Sequence, residues 1–545
     1  MGSGLHPADW VVVGVYFLAV VLVAAWATWQ EKRSSETSVD YFLAGRHAGW
    51  AVIGGSLFAS NIGAEHLVGL AGNGAKGGLA VGQFEVLASL VLLLLAWLFV
   101  PFYLRNGVFT MPEFLERRYG PAARAYLAVV SIIAYVLTKI SVNIAAAGIV
   151  LSSLDVDFWT GAVTVVLVTG IYTALGGLRA VLYTDFLQML VFVGGASALI
   201  ALGLGRLGGW QALRDSTPPE HWNMWLPSDH PDFPWTGIVF GAPILGVWYW
   251  CTDQYIVQRV LSARNMAQAQ RGAIFASYLK LLPLFLFVLP GVMAYGLRQA
   301  GQIHFEQADE ALPTLIRQLL PVGVRGLVVA GLLAAVMSSL SSVYNSCSTL
   351  VTWDIYRKWR PQASDRELVW VGQLFTVAMI VAGLAWIPFM HGVSKQLYEY
   401  LQSVQAYISP PITAVFFLGI CWPRANAAGA VVALLAGLVL GMARLVLELN
   451  RDRLADGWIK DFATLNFLHF AFGLFVVCTA LLVVVSLVTR PANRERLAGL
   501  TFFTPRPAIE LAPAAIERKG RGVNLLLSAG VVLCVTAIWW YFSGR

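Results

Sequence analysis

Fourteen stretches of roughly 20 mostly apolar residues recur along the 545-residue chain, at about 9–29, 50–73, 79–104, 124–152, 157–175, 180–204, 236–258, 272–297, 325–352, 367–390, 397–420, 425–449, 464–489 and 522–542. About 20 residues at helical rise cross the roughly 30 Å of hydrocarbon in a bilayer. The expected fold class is an all-α integral membrane protein of about fourteen transmembrane helices. Charged residues make up only 12% of the chain, about half of what soluble domains carry. The first run follows MGSGLHPAD, without the basic start and small-residue cleavage pattern of a signal peptide. Trp10 and Trp29 flank it as interfacial anchors, so it reads as a retained span.

The 37 Lys and Arg residues concentrate in alternate loops, among them EKRSSETSVDYFLAGRH, QRVLSARNMAQAQRG, YRKWRPQASDRE and the stretch 490–521. The positive-inside rule makes those loops cytoplasmic and puts both termini outside. The net charge of +7 is dispersed, which argues against a nucleic-acid-binding block. Five cysteines lie in or beside apolar runs with no CxxC or Cys/His spacing, so zinc, c-type haem and a disulfide scaffold are excluded. Eight scattered histidines and the lack of any nucleophile–base motif exclude a membrane enzyme. Short loops leave no room for a separate soluble domain. The absence of an N-x-S/T sequon and of loop cysteines favours a bacterial inner membrane as the location.

Several spans are more polar than anchoring requires. The second, GGSLFASNIGAEHLVGLAGNGAKGG, holds Ser60, Asn61, Glu65 and His66 among many glycines. It reads as a broken helix whose freed carbonyls bind a coupling ion, or as a helix whose glycines permit close packing. The ninth, LLAAVMSSLSSVYNSCSTLVTW, sets Ser338, Ser342, Asn345 and Thr349 at spacings of four, three and four, one polar stripe. Ser338 and Ser339 hydroxyls with carbonyls of a nearby broken helix would suit a hard monovalent cation; small residues mediating helix contact are the alternative. Tyr249, Trp250, Asp253 and Gln254 add polarity to the seventh span, and Gln402, Ser403 and a Pro410–Pro411 break to the eleventh. Glu85, Lys139, Asp185 and Lys280 are ionisable residues inside spans, each a functional candidate because such burial is costly. A structural Glu–Lys pair is the competing reading.

The segments GGLRAVLYTDFLQ, WYWCTDQYIVQRVLSARN, ASYLKLLP, AAVMSSLSSVYNSCSTLVTWDIYRK and YLQS…SPPITAVF occur in the order found in the sodium/solute symporter family. From about residue 10 to 430 the chain resembles that family, and within it the sodium/glucose cotransporter branch. The resemblance implies a leucine-transporter-like inverted repeat of five plus five helices with peripheral helices. Its units would be 1–47 (a peripheral helix and cytoplasmic loop), 48–205 (first repeat), 206–424 (second repeat) and 425–545 (peripheral helices). Carried over by motif, the family's main Na⁺ site falls on the carbonyls of Ala59, Ile62 and Ala335 and the hydroxyls of Ser338 and Ser339. Asp185 with Ser341 or Ser342 resembles a second Na⁺ position present in some members. The sugar positions fall on Asn61, His66, Glu85, Tyr249, Trp250, Lys280 and Gln402. Glu65 departs from the animal glucose carriers, which have a small residue there, and matches bacterial galactose carriers.

The chemistry of those side chains also suits a sugar. Amides, a carboxylate, an ammonium and an imidazole match hydroxyls that donate and accept, and an aromatic ring suits the apolar face of a pyranose. Glu85 and Lys280 cancel in charge, which favours a neutral substrate. The expected function is therefore Na⁺-driven import of a glucose- or galactose-type hexose across the plasma membrane. The alternatives are myo-inositol or another small solute on the same fold, and a sensor that binds sugar without carrying it.

Overall fold

A computed structural model describes residues 5–34, 37–152, 155–390, 397–493, 495–504 and 514–544. The described residues are 83% helix, with no strand among them. Eleven helices there are long and apolar enough to cross a membrane. The fourteen expected spans correspond to these once one long helix is divided and two broken ones are added.

The long helix is Phe158–Leu207, interrupted at Gly177, where φ is 49° and ψ −154°. Only glycine adopts this conformation readily, and a Cβ there would lie 2.4 Å from the carbonyl oxygen of Tyr41. The chain doubles back at this point. Tyr172 donates to the carbonyl of Met337, and Ser338, the next residue, donates to Asp185. On an unbroken helix Tyr172 and Asp185 would stand about 20 Å apart. Two spans, α5 (158–176) and α6 (178–207), thus form a hairpin.

The second span breaks as its sequence suggests. Helix α2a (Trp50–Asn61) ends where Ile62 takes up extended backbone, and α2b (Ala64–Gly77) restarts after Gly63. Its glycines serve packing as well. A Cβ on Gly54 would meet the carbonyl of Gly272 at 2.7 Å, and one on Gly74 would meet that of Val288 at 2.3 Å. The two halves of α2 therefore lie backbone to backbone along α8 (Met266–Gln299). Both readings of this run, a broken helix and a glycine-packed helix, describe the same segment. The seventh span is also broken: α7a (235–252) ends at Asp253, whose carboxylate accepts from the Tyr255 N–H and caps α7b (Gln254–Leu261).

The other spans are α1 (Pro7–Ser34), α3 (83–105), α4 (121–152), α9 (Val324–Trp359), α10 (Asp365–Met390), α11 (Leu397–Cys421), α12 (Ala427–Leu449), α13 (Phe467–Val488) and α14 (Ala514–Tyr541). Helix α9 is the axis of the core, with 94% of its apolar stretch buried, against 17% for α14. Helices α1, α2a, α6 and α10 pack against it, and small side chains permit the approach: Ser338 of the SSLSS segment bonds Asp185 of α6, and Ser348 bonds the Gly372 carbonyl of α10. Asp9 Oδ1 accepts from the Gly323 and Gly326 N–H groups at 2.7 and 2.9 Å, satisfying orphan donors where α9 starts. At the other end of α9, Lys358 donates to both oxygens of Glu116 at 2.7 and 2.8 Å, and Arg124 of α4 pairs with the same carboxylate. Partial burial alone would push Glu116 up; hydrogen bonds from Lys358 and Arg124 outweigh it and hold the carboxyl below its ordinary range.

Candidate functional site

One cavity of about 540 Å³, counted with the space at its mouth, opens between α2, α3, α4, α7a, α8 and α11. Its size falls within the range of small-molecule sites. Its wall includes Asn61, His66, Glu85, Tyr249, Trp250, Lys280 and Gln402, all seven of the positions expected to contact sugar.

Each residue is delivered by a local feature of its helix. Asn61 is the last residue of α2a and His66 lies in the first turn of α2b, so the break sets them on either side of a kink. Glu85 lies in the first turn of the helical stretch Gln83–Leu94 of α3. Tyr249 and Trp250 lie in a π-helical turn, Trp248–Thr252, which closes α7a; such turns often mark functional sites. Lys280 ends the helical stretch Met266–Leu279, just before Pro283.

The polar groups are knitted together. Lys280 donates to the Asn61 amide oxygen at 2.5 Å and to Glu85. Asn61 donates in turn to the Tyr249 hydroxyl at 2.9 Å, and Tyr249 to that of Tyr255 at 3.2 Å. His66 Nε2 stands 4.0 Å from the other Glu85 oxygen, and the Lys280 ammonium lies 5.4 Å from the Trp250 ring centre. All but Gln402 of the seven are buried. A Glu–Lys pair is present, as the structural reading of these acids and bases has it, and it also lines the cavity. Such a pair offers an acceptor and a donor without net charge, matched to a solute rich in hydroxyls.

Lys139 of α4 belongs to the same cavity although no sugar position was expected there. Its ammonium lies 4.1 Å from the centre of the Tyr249 ring and 5.3 Å from that of Tyr255. Its presence inside a span was the one sequence signal that singled it out. Gln405, one turn after Gln402, also lines the wall.

The residues expected around Na⁺ are all buried: Ala59 and Ile62 at the end of α2a, and Ala335, Ser338 and Ser339 on α9, a helix that packs against α2a. The Ala59 carbonyl accepts from the Ile62 N–H at 3.1 Å where α2a ends. Ser338 donates to Asp185 at 2.7 Å, which leaves its oxygen lone pairs directed elsewhere. Ser339 accepts from Asn143 at 3.0 Å. Neutral hydroxyl and carbonyl oxygens are suitable donors for a hard monovalent cation. Among the described residues no group of three or more His, Cys, Asp or Glu is arranged to hold a metal.

Asp185 is fully buried, with Ser56 donating at 2.5 Å and Ser342 at 3.5 Å. Ser341 instead donates to the Ser338 carbonyl at 3.0 Å. An unexpected partner completes the cluster: the Arg259 guanidinium, with no exposure, stands 3.6 Å from Asp185 and bonds Ser56 at 3.0 Å. Sequence reasoning placed Arg259 in a basic loop because it lies between a span and the SARN segment; its place at the end of α7b puts it in the core. The Glu65 side chain lies outside what the structure describes.

The model of the sodium:solute symporter family matches residues 41–437. Sodium/glucose cotransporter 4 of Mus musculus is 40% identical over 93% of this chain and 79% of its own length. Sodium/myo-inositol cotransporter 2 of Oryctolagus cuniculus is 40% identical over 95% of this chain and 83% of its own. Among solved structures, a substrate-bound outward-open Na⁺-coupled sialic acid symporter aligns with TM-score 0.77 at 21% identity, covering 90% of this chain and 99% of that one. A nucleobase-cation-symport-1 family transporter, solved closed with bromovinylhydantoin bound, aligns with TM-score 0.51 at 11% identity over 84% and 97% of the two chains. These two likenesses establish the fold, which is the leucine-transporter-like helical fold expected from the sequence.

Proposed function

Because the chain belongs to the sodium:solute symporter family, we propose that it imports a neutral hexose with Na⁺ by alternating access. Membership makes it a multi-pass, sodium-coupled solute symporter and not an enzyme. The observation that supports a hexose is the convergence of Asn61, His66, Glu85, Lys280 and Gln402 on one cavity with Tyr249 and Trp250 in its wall. Asn61, Glu85 and Lys280 would exchange hydrogen bonds among themselves for bonds to sugar hydroxyls, while Tyr249 covers the apolar ring face.

Na⁺ would bind Ser338, Ser339 and the carbonyls of Ala59, Ile62 and Ala335, ordering the break in α2 and with it Asn61 and His66. A potential of about 100 mV supplies about 2.3 kcal/mol per charge moved, roughly a 50-fold concentration ratio. One Na⁺ therefore suffices energetically, and Asp185 with Ser341 or Ser342 offers a second position. The repeats would run over 48–205 and 206–424, a division supported by the matching breaks in their first helices, α2 and α7. Basic loops would face the cytoplasm of a bacterial cell, with both termini outside.

A second solute is favoured by the 40% identity to the myo-inositol cotransporter, since that ring of hydroxyls meets the same donors and acceptors. Uptake of labelled glucose into proteoliposomes, with and without an inward Na⁺ gradient and competed by galactose, myo-inositol and proline, tests both. Na⁺-dependent glucose uptake displaced by galactose is expected. Uptake blocked only by myo-inositol would transfer the assignment to the polyol, and solute binding without uptake would mark a sensor.

A further inference from the structure

Asn143 was not among the expected site residues, yet its side chain makes contacts that link three parts of the molecule. Its Oδ1 accepts from the N–H of Ala64 at 3.2 Å. Ala64 is the first residue of α2b, whose opening N–H groups have no partner within their own helix. Its Nδ2 donates to the Ser339 hydroxyl at 3.0 Å and to the Lys139 carbonyl at 2.8 Å. Both donor hydrogens and the acceptor are thus engaged, within a fully buried side chain. A carboxamide is suited to this because it donates and accepts at once.

The positions of these partners matter. Ser339 stands at the proposed ion site. Ala64 follows directly on the break that separates Asn61 from His66, two residues of the cavity wall. Lys139, one helical turn before Asn143, sends its ammonium into that cavity above Tyr249. A shift of Ser339 toward a cation would pull on the amide, and the amide holds the first turn of α2b.

We infer that Asn143 is a positioning residue that couples ion to solute: its amide ties the Ser339 hydroxyl to the restart of the broken helix, so that Na⁺ binding sets the solute-binding residues on α2. This rests on the placement of Na⁺ at Ser338 and Ser339. Removing the amide should uncouple the two ligands instead of weakening one of them. Coupling between sites is reciprocal, and coupling factors are commonly about 5- to 150-fold.

The test compares the native protein with Asn143→Leu, Asn143→Ala and, as a control, Ser339→Ala in proteoliposomes. The readout is the half-saturating concentration of labelled glucose, or of myo-inositol if that is the solute carried, at low and at saturating Na⁺. This ratio does not depend on how much protein is folded. The native ratio should fall in the coupling range, and in both Asn143 variants it should drop below about threefold. A purely structural role would lower maximal uptake and keep the ratio. A native-like ratio in the Asn143 variants beside an altered Na⁺ dependence in Ser339→Ala overturns the inference and leaves the ion site standing. An unaltered Na⁺ dependence in Ser339→Ala removes the ion placement, and the inference with it. If neither Asn143 variant folds into membranes, the residue is a strut and the inference fails.

Discussion

Ser338 gives its hydroxyl proton to Asp185 across 2.7 Å in a fully buried setting, and this bond links the proposed ion site to a buried carboxylate. The acid is balanced by Arg259 at 3.6 Å. Asp185→Asn should therefore leave a buried guanidinium uncompensated and cost about 3–5 kcal/mol, read as a lower thermal midpoint in detergent. The charge carried per solute in the same variant decides its second role. A fall from two charges to one places an ion at Asp185, whereas a constant ratio leaves the carboxylate as the partner of Arg259.

Ser339→Ala should raise the Na⁺ concentration for half-maximal uptake by about fivefold or more, the effect of one lost polar partner worth about 1–3 kcal/mol. Expression should hold, because a hydroxyl is replaced by hydrogen without overpacking. Na⁺ titration of uptake at saturating solute is the measurement.

Gln402→Ala should weaken solute affinity by about 1–3 kcal/mol through an unmatched hydroxyl on the ligand. Na⁺ binding measured without solute should be spared, since Gln402 lines the cavity and does not belong to the proposed ion site. Normal hexose transport by this variant would remove Gln402 from the solute site.

Glu85 and Lys280 form a buried pair, so either charge alone is harmful. Lys280→Met should destabilise the protein by about 3–5 kcal/mol, and adding Glu85→Gln should restore much of that loss. Transport should stay low in the double variant, because the donor and acceptor offered to the solute are both gone. Thermal melts paired with uptake separate the two effects.

Gly177→Ala tests the hairpin of α5 and α6. An alanine at φ 49° and ψ −154° is strained by about 1–3 kcal/mol, and its Cβ would strike the Tyr41 carbonyl. Yield and melting temperature should both fall, while the Na⁺ dependence of the protein that does fold should not move.

Much of the architecture was legible because hydrophobic length is a direct physical constraint in a bilayer. The apolar runs anticipated each span, and the Ser-Asn-Gly content of residues 56–63 anticipated the break in α2. The doubling back at Gly177 was anticipated only as two adjacent runs, since nothing in period or composition states a turn direction. The cavity residues were legible as polar exceptions in greasy helices and through their family motif. Arg259 and Asn143 were not. Arg259 sits at a helix end, where a basic residue ordinarily reaches water, and only the tertiary fold turns it inward. Asn143 lies in the same run as Thr138, Lys139 and Ser141, and one buried amide carries no sequence mark that separates a strut from a link.

The glycine contacts between α2 and α8 bear on the mechanics of the transport cycle. Where two helices touch main chain to main chain, as at Gly54 with Gly272 and at Gly74 with Val288, there is no side-chain cushion to shear. Such a pair would turn as one rigid lever. Asn61 and Lys280, mounted on its two bars and 2.5 Å apart here, would then face the solute together whichever side of the membrane the cavity opens to. Relative movement would then fall where the lever meets other helices across the cavity, as at Gln402 of α11.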